Sequence, residues 1–256
     1  MMERYRRLDW LAHERGLRRW RQAAREVGKM EPVRLQSEQS KARRLRHHLN
    51  EFLSRADDHL APPMIGSNAM SKPHGTDWSW RPEIWRERLS VPGHSSVESQ
   101  TKLGEQLTLF HDCERSELTL RQIRNMREVD LSPFGLRMDV FSFDGSFLSI
   151  VLDLPDSAVN GLKKNHLIRV NTIIELEKPL EIFVRLNVRH GPNTEQLVRE
   201  LPLHEEDRMV EFDLAYTRLN EKRIERAWVD IIFENPEMNQ VILRDLTFGR
   251  RPRAEF

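Results

Sequence analysis

The sequence predicts a mainly β fold, a sandwich or barrel of short strands preceded by amphipathic helices. Three observations predict it. Segments between residues 136 and 248 alternate apolar and polar residues: Ile182, Val184, Leu186 and Val188 point one way, while Phe183, Arg185, Asn187 and Arg189 point the other. Val210, Phe212, Leu214 and Tyr216 repeat the pattern, as do Ala227, Val229, Ile231 and Phe233. A period of two gives each strand a core face and a second face, and many such strands at short spacing make a sandwich or barrel. The first sixty residues lack this alternation and place apolar residues seven apart instead.

Residues 5–27 predict a helix, with Trp10, Leu17, Trp20, Ala24 and Val27 on one stripe and arginines around the rest. Gly16 weakens its interior by roughly 1 kcal/mol. A stop is expected over Gly28–Pro32. A second helix is expected from Leu35 to Leu60. Leu35, Ala42, Leu49 and Ala56 form its seam with Leu45 and Phe52 between them, Leu53 and Leu60 lie beside it, and Pro62 and Pro63 end it. Two helices, a short turn and matching seams predict an antiparallel hairpin. Over 61–100 periodicity gives way to Pro, Gly, Ser, Asn and His. Trp78, Trp80 and Trp85 in DWSWRPEIW need burial, so this segment is expected to wrap over the sandwich. Strands are then expected at 105–111, 117–124, 136–143, 146–153, 167–177, 181–189, 196–202, 208–215, 226–234 and 240–248. Asp144-Gly145 predicts a tight hairpin, and Gly191-Pro192-Asn193 another turn. Residues 154–164 are expected to form a short helix or loop, and residues 216–222 a helical turn.

A chain of 256 residues suits one large domain plus an appendage. Residues 1–60 carry 15 Lys/Arg against 9 Asp/Glu, whereas the remainder carries 26 against 31. A basic arm is thus joined to a mildly acidic body. Cys113 is the single cysteine, which excludes an internal disulfide and fits a reducing compartment. Residues 1–9 contain no apolar run of a secretory leader, and no stretch approaches the roughly 20 apolar residues that span a bilayer. The expectation is a cytoplasmic protein, with peripheral membrane contact through the basic helix left open.

No Gly-rich phosphate loop, GxSxG elbow or HExxH helix occurs. His111-Asp112-Cys113 pairs a thiol with an imidazole, but a lone cysteine at a strand end is more often a small buried apolar group. His74, His94, His111 and Cys113 match no zinc spacing. Asp139, Asp144, Asp153 and Asp156 could hold calcium, yet acidic residues at turns are ordinary turn chemistry. Arg185, Asn187, Arg189 and His190 on one strand, with Trp228 and Asp230 on a later one, could make a sugar platform, the indole stacking on a pyranose while guanidinium and amide bond its hydroxyls. The plainer explanation covers Trp228 with the helices and pairs the arginines on the surface. The arginine-rich helix could bind anionic lipid, but Glu14 and Glu26 dilute its charge, and no nucleic-acid-binding signature is present. The closing Gly249–Arg253 segment reads as a short basic tail.

The run of strands from LGEQLTLFHD through LRMDVFSFDGSFLSIVLDL to VILRDLTFGRRPRAEF resembles jelly-roll sandwiches of the galactose-binding-like or carbohydrate-binding-module kind, over about residues 100–250. The whole chain also resembles an uncharacterised alphaproteobacterial family, a domain of unknown function, through LTLFHDCERSELTLRQIRN, RLNVRHGPNTEQ and FGRRPRAEF. Neither resemblance carries over a binding residue.

The resulting expectation is a jelly-roll-like β-sandwich with an N-terminal α-helical hairpin. The basic hairpin covers 1–60, a Trp-containing linker or wrap covers 61–100, and the sandwich covers 101–256. Its expected role is a non-catalytic binding module for carbohydrate or a glycan-related partner, with Trp228, Arg185, Asn187 and Asp230 as ligand-binding residues. No metal, cofactor or nucleic acid is expected. The alternative is an assembly or scaffold protein that forms a homo-oligomer or docks through its helices.

Overall fold

In the computed structural model of the chain, residues 2–60, 70, 72–127, 129–202 and 207–253 are described, without the side chains of 2–12, 47, 50–60 and 207. The chain forms two compact units, Met1–Pro62 and Pro63–Phe256.

In the first unit, helix α1 (Met2–Glu26) runs into a 3-10 turn (Val27–Lys29), and helix α2 (Pro32–Leu60) follows. Pro32 sits at the first helical position, where its missing N–H costs no hydrogen bond. Arg19 Nη2 meets Glu38 Oε2 at 2.8 Å, so the helices fold back on each other around the turn. The seams close less than their spacing suggests. Trp20, Leu35 and Ala42 are half-buried, but Leu17, Leu45 and Leu49 remain 45%, 41% and 51% exposed. Two helices alone have too little facing surface to seal a core. The side chains of Trp10, Phe52, Leu53, Ala56 and Leu60 lie outside those described.

The second unit is a sandwich of two antiparallel sheets. Its strands are β1 (Trp78–Trp80), β2 (Gly93–Ser95), β3 (Thr101–Leu103), β4 (Leu107–His111), β5 (Leu118–Arg124), β6 (Phe134–Val140), β7 (Leu148–Asp153), β8 (His166–Leu176), β9 (Ile182–His190), β10 (Asn193–Glu200), β11 (Asp207–Asp213), β12 (Ile224–Phe233) and β13 (Asn239–Pro252). Short helices α3 (Glu83–Arg86) and α4 (Asp156–Val159) lie between strands. A seven-stranded sheet has the order β11-β8-β13-β6-β5-β2, with β1 also paired to β13, and a six-stranded sheet has the order β10-β9-β12-β7-β4-β3. The alternation works as expected: Val184, Leu186, Val229 and Ile231 of one sheet and Val170, Phe212, Leu243 and Phe248 of the other are buried in one core.

The tryptophan segment is part of this body. Trp78–Trp80 add a strand to the end of β13, and Trp80 packs on Phe248 with ring centroids 5.4 Å apart. Trp85 is 0% exposed, and its Nε1 donates to the Leu243 carbonyl at 3.0 Å. A bulge at Arg244 shifts the register of β13, so that Asp245 falls on the outer face and meets Arg81 through two hydrogen bonds of 2.8 and 2.7 Å.

Two expectations are corrected. Asp144-Gly145 makes no hairpin, because β6 and β7 belong to different sheets and the chain crosses between them there. Gly145 serves close packing: a Cβ would come within 2.6 Å of Asp112 Oδ1 and 3.0 Å of Cys113 Sγ. The closing basic residues are no tail, since β13 runs on to Pro252. Buried Arg250 bonds Asp77 and the Ala158 and Asn160 carbonyls, while Arg251 pairs with Glu211. Gly191-Pro192 does make the tight turn between β9 and β10, with Gly191 at a φ of 59°. Among the described residues no helix is long and apolar enough to cross a membrane.

Candidate functional site

The outer face of the six-stranded sheet carries a groove of about 580 Å³. Its floor follows from strand register. Alternation turns Arg226, Trp228, Asp230 and Ile232 of β12 outward, together with Arg185, Asn187 and Arg189 of β9. Three rows cross the sheet. Phe110, Ser149 and Ile232 form an apolar end, with Phe147 beside it. Thr108, Val151, Asp230 and Arg185 form the centre. Asp153, Trp228, Asn187 and Gln196 form the third row. Arg226 and Arg189 stand opposite each other beyond it.

The four residues singled out from the sequence come together here, in two roles. Trp228 and Arg185 present surface to the groove, whereas Asp230 and Asn187 are 2% and 1% exposed. Arg185 donates from Nε to Asp230 Oδ2 at 2.6 Å, and its Nη2 lies within ion-pair distance of the same oxygen, also at 2.6 Å. Asn187 Nδ2 reaches the same oxygen at 3.1 Å, and its Oδ1 accepts from Gln196 Nε2 at 3.1 Å. A buried carboxylate is tolerated only when paired and bonded in this way. It fixes the arginine in turn, leaving one edge of the guanidinium toward the groove.

Trp228 differs from two other indoles of the body. Trp78 Nε1 donates to Ser157 and Trp85 Nε1 to Leu243, while Trp228 Nε1 meets no acceptor among the described residues. Over its ring lies the Arg226 guanidinium, 4.8 Å from the centroid. Thr108, Phe110, Phe147, Val151, Ile232 and Arg226 were not marked by the sequence reading. Outward apolar residues look like core residues there, and the available signal for Arg226 was its parity with Trp228.

The other candidates have structural roles. The His111 ring accepts the Cys113 N–H through Nδ1 at 3.1 Å, so Nε2 carries the proton and donates to the Val97 carbonyl at 2.8 Å. Both ring nitrogens are engaged by backbone groups rather than by the Cys113 thiol, which is pushed up by burial and then by Asp144. Asp112 binds the Ser146 hydroxyl and the Ser146 and Phe147 N–H groups, and these bonds outweigh burial and hold its carboxyl low. Burial raises the Asp139 carboxyl, but hydrogen bonds from Arg137, Thr119 and Gln240 outweigh it and bring the carboxyl below its ordinary range. No group of three His, Cys, Asp or Glu gathers as metal ligands among the described residues.

No curated protein matches the sequence. Among solved structures the chain is similar to the enzymatically active domain of bacteriophage CBA120 tailspike protein 4, with 9% identity and a TM-score of 0.41 over 60% of this chain and 21% of that one. It therefore spans about a fifth of the tailspike domain's length. It is also similar to a family 11 carbohydrate-binding module from Clostridium thermocellum, with 12% identity and a TM-score of 0.40 over 65% of this chain and all of the module. A xylan-binding CBM22-1 domain from Paenibacillus barcinonensis aligns at 10% identity and a TM-score of 0.35, over 73% of this chain and all of that domain. Residues 1–256 match a family of unknown function, DUF6478, from end to end, and the chain belongs to that family.

Proposed function

We propose that the chain is a non-catalytic binding module that holds a carbohydrate in the groove of its six-stranded sheet. The observation that carries this reading is Trp228, an indole on the groove floor whose N–H meets no acceptor among the described residues. Beside it, Arg185 is held by a buried carboxylate and offers its free edge. An apolar ring face beside fixed donors and acceptors is the chemistry that a pyranose requires. The test is a glycan-array screen followed by titration calorimetry on the hits. Trp228→Ala should abolish binding while the melting temperature stays within a few degrees of the parent. A large drop in melting temperature, or unchanged binding, would discard the platform.

The exposed seam residues Leu17, Leu45 and Leu49 favour a second reading, assembly through the helices. Leu49→Asp should then lower the mass in solution from an oligomer to a monomer. A monomeric parent chain would dismiss the homo-oligomer and leave docking on another protein or a membrane to be tested.

A further inference from the structure

The basic end of the groove is unbalanced. Arg226 and Arg189 are direct cross-strand neighbours on β12 and β9, and like charges so placed repel. Arg189 is relieved by Glu225 at 3.1 Å. Arg226 is exposed, and no carboxylate among the described residues pairs with it. Its guanidinium rests instead over the ring of Trp228, and both side chains line the groove. A neutral sugar stacking there displaces the guanidinium and returns nothing to it. An anionic sugar displaces it and then pairs with it.

We propose that the groove is selective for acidic sugars, in which a carboxylate or sulfate ester on the ring stacked against Trp228 is bound by Arg226, with Arg189 alongside. This deepens, and rests on, the carbohydrate reading of the groove. Asp153 sets the orientation. It faces Trp228 across the β7–β12 pair, on the side away from β9, and repels an anion placed there. The anionic group therefore points toward β9. The Arg185 guanidinium is neutralised by Asp230 and supplies hydrogen bonds rather than net charge.

The experiment titrates the full chain with three probes: an oligouronate, the same oligosaccharide after reduction of its carboxyl groups, and a sulfated oligosaccharide of neutral sugars. Each is measured at low and at moderate salt. The oligouronate, the sulfated probe or both should bind at least about tenfold more tightly than the reduced one, the worth of one charge-assisted hydrogen bond. The advantage should shrink with salt, because the contact is exposed. Which acidic probe binds better identifies the anion. Arg226→Ala should remove the advantage, leave binding of the reduced probe equal or stronger, and leave the melting temperature unchanged. Asp153→Asn should strengthen acidic binding. If the reduced probe binds as tightly as the acidic ones and loses its site in Trp228→Ala, acidic selectivity is wrong and the carbohydrate groove stands. If no oligosaccharide binds the folded chain, both fall.

Discussion

Arg185→Ala tests whether the floor of the groove is built as described. The substitution removes one hydrogen bond and one ion-pair contact, both at 2.6 Å from Asp230 Oδ2, and leaves the carboxylate with Asn187 alone, at 3.1 Å. Breaking a wholly buried pair costs about 3–5 kcal/mol and breaking a surface pair about 0–1. Here the carboxylate is 2% exposed, but the Arg185 side chain is 37% exposed, so solvent relieves part of the loss. The expected cost is about 2 kcal/mol. With a urea dependence of roughly 2 kcal/mol per molar, the unfolding midpoint should fall by about 1 M. Asp230→Asn in the Arg185→Ala background removes the stranded charge and should recover more than half of that. A midpoint change under about 0.2 M for Arg185→Ala, or a double variant no more stable than the single one, would refute the claim that the arginine neutralises the buried carboxylate. Loss of ligand binding in Arg185→Ala has to be read beside this stability change.

Trp85→Ala should destabilise the sandwich by about 4 kcal/mol, from the emptied core and the stranded Leu243 carbonyl, while a midpoint shift like that of a surface residue would contradict its burial. A fragment of residues 101–256 lacks Arg81, Trp85 and β1 and should bind a dye for exposed apolar surface, whereas 63–256 should melt cooperatively; equal behaviour would show that the tryptophan segment is dispensable. Burial, and then the Arg250 charge, hold the His166 imidazole below its ordinary range against the pull of Asp77, and its Nδ1 accepts the Lys163 N–H at 2.9 Å, which requires the neutral ring. The unfolded chain therefore takes up this proton first, so stability is full above about pH 6.5 and declines below it. His166→Asn should flatten the urea-midpoint profile between pH 7 and 5, and parallel profiles would count against the assignment.

The strands were legible where a period of two had room to repeat. β9 and β12, at nine and ten residues, could be read directly, whereas β1, β2 and β3 have three residues each and show no period. The end of β13 escaped because Gly-Arg-Arg-Pro-Arg reads as solvated charge, and the partner that buries Arg250 lies 173 positions away at Asp77. The Asp-Gly signal marked a real change of direction but could not say that the next strand joins the other sheet. At the site, parity alone placed Arg185 and Asn187, and Trp228 and Asp230, on outward faces. Parity could not show that Asn187 and Asp230 lie beneath the surface, because register between distant strands decides it.

The register that shapes the groove also separates two kinds of position. On β4, β7 and β12 the inward residues hold the core, while Thr108, Val151 and Ile232 face outward between them, and their side chains make no hydrogen bond or ion pair among the described residues. Exchanging them leaves the interior and the Arg185–Asp230 brace in place. The face is thus a panel that can be varied one position at a time, and a library limited to these residues would explore new ligand preferences on an unchanged scaffold.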